Sequence, residues 1–517
     1  MRRGSRRQQR TSSPDGAWRR RGLAGPPNPS RPPREGSRLS VARRTVADVT
    51  RPETLGALRA SGHVHRTVKD EIRTNLLARM RDGSGERFPG IVGFEDTVLP
   101  HLERALLAGH DVVLLGERGQ GKTRLIRTLV ALLDEETPVV AGCEINDHPY
   151  APVCVRCRRL AAELGDELPV AWRSRDERYG EKLATPDTSV GDLIGDVDPV
   201  KVAEGRPLGD PETIHFGLVP RTNRGIFAVN ELPDLAERIQ VALLNVLEER
   251  DIQVRGYQLR LPLDLLLVAS ANPEDYTNRG RIITPLKDRF GAEVRTHYPL
   301  RLEDEIDLVA QEAQLPAVVP AYLLEIVARF TRLVRESPAV DARSGVSARF
   351  TVAAAETVAA SALRRAALTG EESAVARVCD LAPVVATLQG KVEFEVNEEG
   401  RETEVLAHLL RRATVDTFRH HLGASDLASL LERFDEGLTV ESGDAVPAAR
   451  LLEQVGPVRG LASVMSLLGV EDGLHEGATA PGLAASALEF AMEGLYLNRR
   501  ISKDEVPGGG RTVYGGG

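Results

Sequence analysis

Cysteine is scarce, with four in 517 residues, which excludes a fold stapled by a framework of disulfides and leaves metal or redox chemistry as the readings for any that cluster. Long apolar runs are missing as well. No stretch approaches the ~20 uncharged apolar residues that a membrane helix needs, and the N-terminus carries no apolar leader. The expectation is a cytoplasmic protein with no membrane insertion. Nor is there an excess of basic charge: 67 Lys and Arg against 75 Asp and Glu give a net charge of −8, which argues against a protein that coats nucleic acid. What is present, 42% hydrophobic and 27% charged residues, is the balance of a soluble globular chain. The length suggests about three domains.

Residues 1–45 are rich in Arg, Pro, Ser and Gly, with only Asp15 and Glu35 as acids. Such a segment cannot bury enough apolar surface to offset the entropy of ordering it, so a disordered tail is expected, either a dispensable extension or a basic arm for acidic surfaces. Residues 46–87 read as a helical segment, with a helix near Val68–Met80. From 88 to 300 strands and helices alternate, the pattern of a parallel sheet covered by helices. Asp111–Leu115, Val139–Ala141, Gly225–Val229 and Leu263–Ser270 read as strands, and Val98–Leu107, Lys122–Leu133 and Leu235–Arg250 as helices. Residues 301–370 read as a helical lid containing Leu302–Ala313, Ala321–Arg335 and Phe350–Leu368, because apolar residues recur at helical spacing, as in Leu323, Val327, Phe330 and Val334. A further helical region over 371–500 and a flexible, glycine-rich tail over 501–517 complete the expected organisation.

Chemistry enters at Gly116-Glu117-Arg118-Gly119-Gln120-Gly121-Lys122-Thr123. This run fits G-x-x-x-x-G-K-[ST] and lies between a predicted strand and a predicted helix, the context the motif requires. Its glycines let backbone N–H groups curl around phosphate oxygens. Lys122 is expected to reach the β- and γ-phosphates of ATP and Thr123 to hold Mg²⁺ through its hydroxyl. Gly225-Ile226-Phe227-Ala228-Val229-Asn230-Glu231 ends an apolar strand as a Walker B segment does, but Asn230 stands where the Mg²⁺-side aspartate is usual. An amide oxygen can bind a Mg²⁺-bound water yet brings no charge. Glu231 keeps the role of polarising the attacking water, unless the pair simply caps the next helix.

Three more residues fit a phosphoryl-transfer site. Asn272, at the end of the strand before Pro273, is placed to sense the γ-phosphate, or only to form a turn. Arg289, in Asp288-Arg289-Phe290, is placed to act across a subunit boundary as an arginine finger, or only to pair with an acid on the surface. Arg349, opening a helix of the lid, is placed to swing onto the γ-phosphate, or is only an ordinary arginine of a first helical turn.

Together these residues resemble the AAA+ ATPases of the magnesium-chelatase I-subunit and MoxR branch. The phosphate loop, the strand to Glu231, Asn272, Asp288-Arg289-Phe290 and Arg349 match in order and rough spacing. Gly191–Asp198 with His215-Phe216-Gly217-Leu218 is similar to that subunit's segment before Walker B, and Asp251–Leu261 to the hairpin inserted before the sensor strand. The resemblance covers residues 88–365. It implies a P-loop AAA+ fold, ATP hydrolysis, a homo-oligomer that is typically a hexameric ring, and a partner carrying a von Willebrand factor A domain, with no tetrapyrrole substrate indicated by this chain.

Cys143, His148, Cys154 and Cys157 fall within fifteen positions, and C-x-x-C is a spacing that lets two thiolates share one Zn²⁺. The chelatase I subunit is similar in having cysteines after its second strand. A Cys₃His zinc site, redox-active thiols and unligated cysteines all remain open. Cys379, within an apolar helical pattern, reads as core. The function that follows is a motor that remodels a partner complex. Its competitors are a slow nucleotide-dependent switch, which Asn230 would suit, and a transcription activator, for which neither a DNA-reading helix-turn-helix nor a Gly-Ala-Phe-Thr-Gly-Ala loop is found.

Overall fold

Four aliphatic residues, Val112–Leu115, form a strand that is buried end to end. In the computed structural model this strand, β1, lies inside a five-stranded sheet with β2 (Tyr179–Leu183), β3 (Gly225–Asn230), β4 (Leu265–Ala271) and β5 (Ala292–Arg295), ordered β5-β1-β4-β3-β2. Every pairing is parallel. The structure describes residues 51–83, 87–206, 213–248, 252–254, 257–259, 261–272, 281–341, 345–423, 427–457, 460–470, 480–506 and 510–516, with backbone alone for 252–254 and 257–259. The expected basic tail, Pro273 and the turn of the hairpin before β4 lie outside these residues, whereas the hairpin's two strands, Ile252–Val254 and Tyr257–Leu259, pair antiparallel.

Successive residues of a strand point to opposite faces, so a sheet buried on both sides needs apolar residues at every position. Val113, Leu115, Phe227, Val229 and Leu267 pack with Ile239 and Leu243 of the helix Glu237–Glu248. Val112, Leu114, Ile226, Ala228 and Val268 pack on the other side with Leu102, Leu106, Leu125 and Leu129. Val68, Ile72 and Leu76 of the helix Val68–Asp82 join that second cluster. The expected N-terminal segment is thus part of the nucleotide-binding layer. It is also tied there by charge: Arg178, 1% exposed, grips Glu71 with both guanidinium nitrogens at 2.8 and 2.6 Å.

One expected strand sits elsewhere. The segment predicted at Val139–Ala141 runs Glu136–Val140 and pairs antiparallel with Val170–Ser174, outside the parallel sheet. Its place beside β3 is taken by β2, whose residues are mostly half-buried and therefore show no apolar run.

Beyond β5 the chain is mainly helical. Leu302–Glu312, Ala321–Glu336, Ala348–Thr369, Glu402–His421 and Ala480–Leu497 are its principal helices. The expected border at 370 does not divide the packing, because Phe330, Phe350, Leu381, Phe418 and Phe490 belong to one continuous core. Helix contact is close enough at Gly494 that a Cβ there would come within 1.8 Å of the Phe418 ring. The end of the chain, expected as a flexible tail, instead forms strands Ile501–Glu505 and Arg511–Gly516, which pair with each other and with Val440–Gly443. Tyr514, 1% exposed, anchors them. Among the described residues no helix is long and apolar enough to cross a membrane.

Candidate functional site

The phosphate loop leaves β1 and enters the helix Lys122–Thr128, which continues as a 3₁₀ turn over Leu129–Leu132. Gly119 (φ +74°) and Gly121 (φ +76°) sit in the left-handed region, where residues with a Cβ are strained. Gly119 is constrained a second way, since a Cβ there would meet Ser347 Oγ at 2.0 Å. The loop is pinned at its base. Gly116 N donates to Ala271 O of β4 at 3.2 Å, and Thr296, just past β5, joins Leu115 O through its amide (2.7 Å) and Gln120 Oε1 through its hydroxyl (2.8 Å). Lys122, 6% exposed, donates from Nζ to the carbonyls of Gly116 and of Glu117, the latter at 2.8 Å. Tyr298 Oη donates to Arg118 O at 2.8 Å.

The end of β3 lies beside this loop. Thr123 Oγ1 donates to Asn230 Oδ1 at 3.4 Å, and Ser270 Oγ to the same oxygen at 3.3 Å. The amide's other arm is occupied too. Asn230 Nδ2 donates to Glu181 Oε1 at 2.6 Å, so a carboxylate from the neighbouring strand β2 stands behind the amide. Arg127 holds Glu181 with two bonds of 2.9 Å and Tyr179 Oη adds a third at 2.9 Å. The Arg127 hydrogen bonds, opposed by partial burial, hold the Glu181 carboxyl below the usual carboxylate range, which keeps it charged at neutral pH. Thr123 and Asn230 thus offer a hydroxyl and an amide oxygen, ligand types that suit a hard divalent cation, beside a carboxylate whose two oxygens are held by Arg127, Tyr179 and Asn230. Glu181 is the site residue that the motifs do not reveal.

Glu231 follows with φ +54°, a conformation uncommon for a residue with a side chain, and its N–H donates to Ser270 Oγ at 3.2 Å. Asn272, 3% exposed, comes directly after Ala271, the residue that receives Gly116 N. From the helical side, Ser347 caps the helix Ala348–Thr369 by accepting from Arg349 N at 3.1 Å, while Ala348 N donates to Gly119 O at 3.4 Å. This brings the backbone at Arg349 against the loop of its own chain. The Arg349 side chain itself is exposed. Arg289 ends the helix Thr284–Arg289 on the surface and pairs with Glu248 at 2.9 Å and Asp288 at 3.1 Å.

The cysteines form a group with a different fourth member. Cys143, Asp147, Cys154 and Cys157 are all buried, and one ligand atom from each lies within 4.8 Å of the others. His148 is not among them. Its Nδ1 accepts from Tyr150 N at 3.0 Å and its Nε2 faces His63 Nε2 at 3.3 Å, with His65 packed 4.1 Å from its ring, so the imidazole is committed to a histidine cluster. Burial, aided by the Arg224 charge, pushes the His148 pKa down to about 2. Hydrogen bonds from Cys154 and then Cys157 lower the Cys143 thiol while the same bonds raise Cys154 and Cys157, and burial raises Asp147 to about 6. Asn146, directly before Asp147, has a φ of +56°. Cys379 lies apart in the helical region, half-buried, with its N–H on Glu489 at 2.8 Å.

Comparison with known proteins adds a sequence relationship. The chain is 29% identical over 242 residues to the magnesium-chelatase subunit ChlI of Nostoc sp., covering 46% of this chain and 61% of that protein. It is 33% identical over 207 residues to the magnesium-chelatase 38 kDa subunit of Acidiphilium rubrum, covering 38% and 54%. For the 38 kDa subunit of Rhodobacter capsulatus the figures are 29% over 263 residues, 49% and 69%. The chain therefore spans little more than half the length of the first two. A solved structure described as a complex between subunits BchI and BchD of magnesium chelatase aligns at 23% identity and a TM-score of 0.33, covering 62% of this chain and 98% of that one. No protein-family model matches the chain.

Proposed function

We propose that this chain, similar in sequence to magnesium-chelatase subunits, is an AAA+ ATPase of the magnesium-chelatase I-subunit branch that binds and hydrolyses ATP in the cytoplasm and uses the cycle to remodel a partner complex. The observation that carries this reading is the junction of loop and strand: a P-loop with two left-handed glycines whose Thr123 meets Asn230, itself backed by Glu181. In it, Gly116–Thr123 cradle the phosphates, Lys122 compensates the β- and γ-phosphate charge, and Thr123 with Asn230 holds Mg²⁺. The ion, when bound, would neutralise negative charge on the phosphates. Glu231 polarises the attacking water, Asn272 senses the γ-phosphate, Arg349 acts from the lid, and Arg289 completes the site of a neighbouring subunit. A homo-oligomeric ring, hexameric by the sequence resemblance, and a partner bearing a von Willebrand factor A domain belong to the same proposal.

A second reading, a slow nucleotide switch, draws on the neutral Asn230. Glu181 weighs against it by setting a carboxylate, itself paired with Arg127, at the same corner. Nucleotide binding and steady-state hydrolysis measured together test the assignment. Lys122→Ala should lose binding or turnover, whereas Glu231→Gln should keep ATP binding and lose hydrolysis by at least about a hundredfold. Turnover like the unmodified chain's in Lys122→Ala would sink the site, and unmeasurable hydrolysis in the unmodified chain with tight ATP binding would favour the switch.

A further inference from the structure

We propose that Cys143, Asp147, Cys154 and Cys157 form a tetrahedral structural site for one divalent ion of the zinc class, with Asp147 rather than His148 as the fourth ligand. Four ligands at ~2.0–2.3 Å from Zn²⁺ stand about 3.3–3.8 Å from one another. The four atoms here already lie within 4.8 Å, so a small contraction of side chains closes the shell around a single ion.

The aspartate supplies the independent observation. Asp147 is fully buried; its Oδ2 accepts from Val153 N at 3.1 Å and Cys154 N at 2.9 Å, while its Oδ1 is buried with no hydrogen-bond partner among the described residues. An unsatisfied oxygen on a buried carboxylate is costly, and a cation is the partner that removes the cost. Two of the sulfurs already receive backbone N–H groups: Cys143 Sγ accepts from Asp147 N at 3.3 Å and Cys154 Sγ from Cys157 N at 3.2 Å, with Cys154 as N-cap of the helix Val155–Leu164, which fixes both side chains toward the group. A disulfide would use two of the three sulfurs and leave the third and Asp147 Oδ1 unmet.

Charge and access agree. Three thiolates and a carboxylate around a dication sum to −2, each thiol releasing its proton to solvent on binding. Arg156, Lys201 and Arg206 line a cavity of about 290 Å³ that reaches Cys143 and Cys154, and the Arg224 guanidinium interacts with Asp147. What the ion would hold is the loop after Glu136–Val140. Asn146 Nδ2 donates to Arg221 O at 2.6 Å and Asn223 Nδ2 to Ile145 O at 2.9 Å, clamping this loop to the residues that lead into β3. Asn230 ends that strand, about 17 Å away at ~3.3 Å per residue, so metal binding can be read without reference to ATP.

The experiment is elemental analysis of the full chain purified under reducing, chelator-free conditions, followed by Co²⁺ titration of the metal-depleted protein. About one zinc per chain is expected, together with the visible bands of tetrahedral cobalt and a thiolate charge-transfer band. Cys154→Ser with Cys157→Ser should abolish both. Asp147→Asn should weaken metal affinity at least about tenfold, given that loss of an outer-shell partner alone costs 10–100-fold, and His148→Gln should leave stoichiometry unchanged. Folded protein that holds no zinc and gives no cobalt bands overturns the site; so does a disulfide found in the reduced preparation. Zinc lost in His148→Gln but kept in Asp147→Asn overturns the ligand set. Should the cysteine variants fail to fold, the cobalt titration of the unmodified chain decides alone.

Discussion

At the end of β3 the amide of Asn230 stands where a P-loop protein usually carries an aspartate, and the carboxylate sits one strand over, on Glu181, 2.6 Å from the amide nitrogen. Adding an acid at 230 would therefore place two carboxylates in contact, and like charges that close cannot both ionise; one is pushed up and protonated. Asn230→Asp alone should give no gain in hydrolysis. Glu181→Gln should lower kcat by about tenfold, the worth of one interaction with a charged group, and raise the Mg²⁺ concentration required. The swapped pair, Asn230→Asp with Glu181→Gln, keeps one charge and one amide and should return to within about threefold of the unmodified chain. Steady-state ATPase rates across a Mg²⁺ titration check all three, and independent, additive losses in the double variant would dismiss the pairing. The phosphate loop is legible because its chemistry is local, eight residues in a row. Glu181 is not, because its contact with Asn230 spans 49 positions and depends on which strand lies beside β3. Asp147 is hidden for a similar reason: the sequence spacing nominates His148 beside the cysteines, and that Asp147 meets the three thiols instead depends on how the loop folds.

Elements with continuous apolar runs or helical periodicity were legible to within a few residues: Val112–Leu115, Leu265–Ala271 and Ala321–Glu336 all lie close to their expected bounds. Elements whose stability comes from distant partners were not. The strands Ile501–Glu505 and Arg511–Gly516 are short, polar and flanked by glycine, which reads locally as a flexible end. Their order comes from Tyr514, whose hydroxyl donates to Glu493 Oε2 at 2.5 Å from inside the core, where Lys503 Nζ also bonds that carboxylate at 2.7 Å. Tyr514→Phe leaves the ring and removes this bond, so it should destabilise the protein by about 1–3 kcal/mol, measured by denaturant unfolding. Removing residues 501–517 should cost more, since it also strips Val440–Gly443 of its strand partner. No change in stability from either alteration would return this end of the chain to the flexible tail that its composition suggests.

Across the whole molecule the open question is how one chain's nucleotide site is completed. Arg349 approaches the loop of its own chain through the contact of Ala348 with Gly119, but Arg289 is exposed and engaged with Glu248 and Asp288. The partners of Arg289 are themselves exposed, 45% for Glu248 and 78% for Asp288, and surface pairs of this kind contribute at most about 1 kcal/mol each. A phosphate oxygen at an interface can outcompete them, because charge-assisted bonds to phosphate are stronger when water is excluded. If Arg289 serves the neighbour, specific activity should rise more steeply than linearly with protein concentration, as subunits meet. Arg289→Ala should bind ATP with unchanged affinity and lose about 10³-fold or more in hydrolysis. Mixing it with Lys122→Ala subunits should then restore part of the activity, since some interfaces pair an intact loop on one subunit with an intact arginine on the next. Glu248→Ala provides the internal control: it frees Arg289 without removing it, so activity should be kept or rise modestly. Specific activity constant down to concentrations where the chain is monomeric, or no rescue between subunits shown to exchange, would place the whole catalytic site within one chain and leave Arg289 as a surface ion pair.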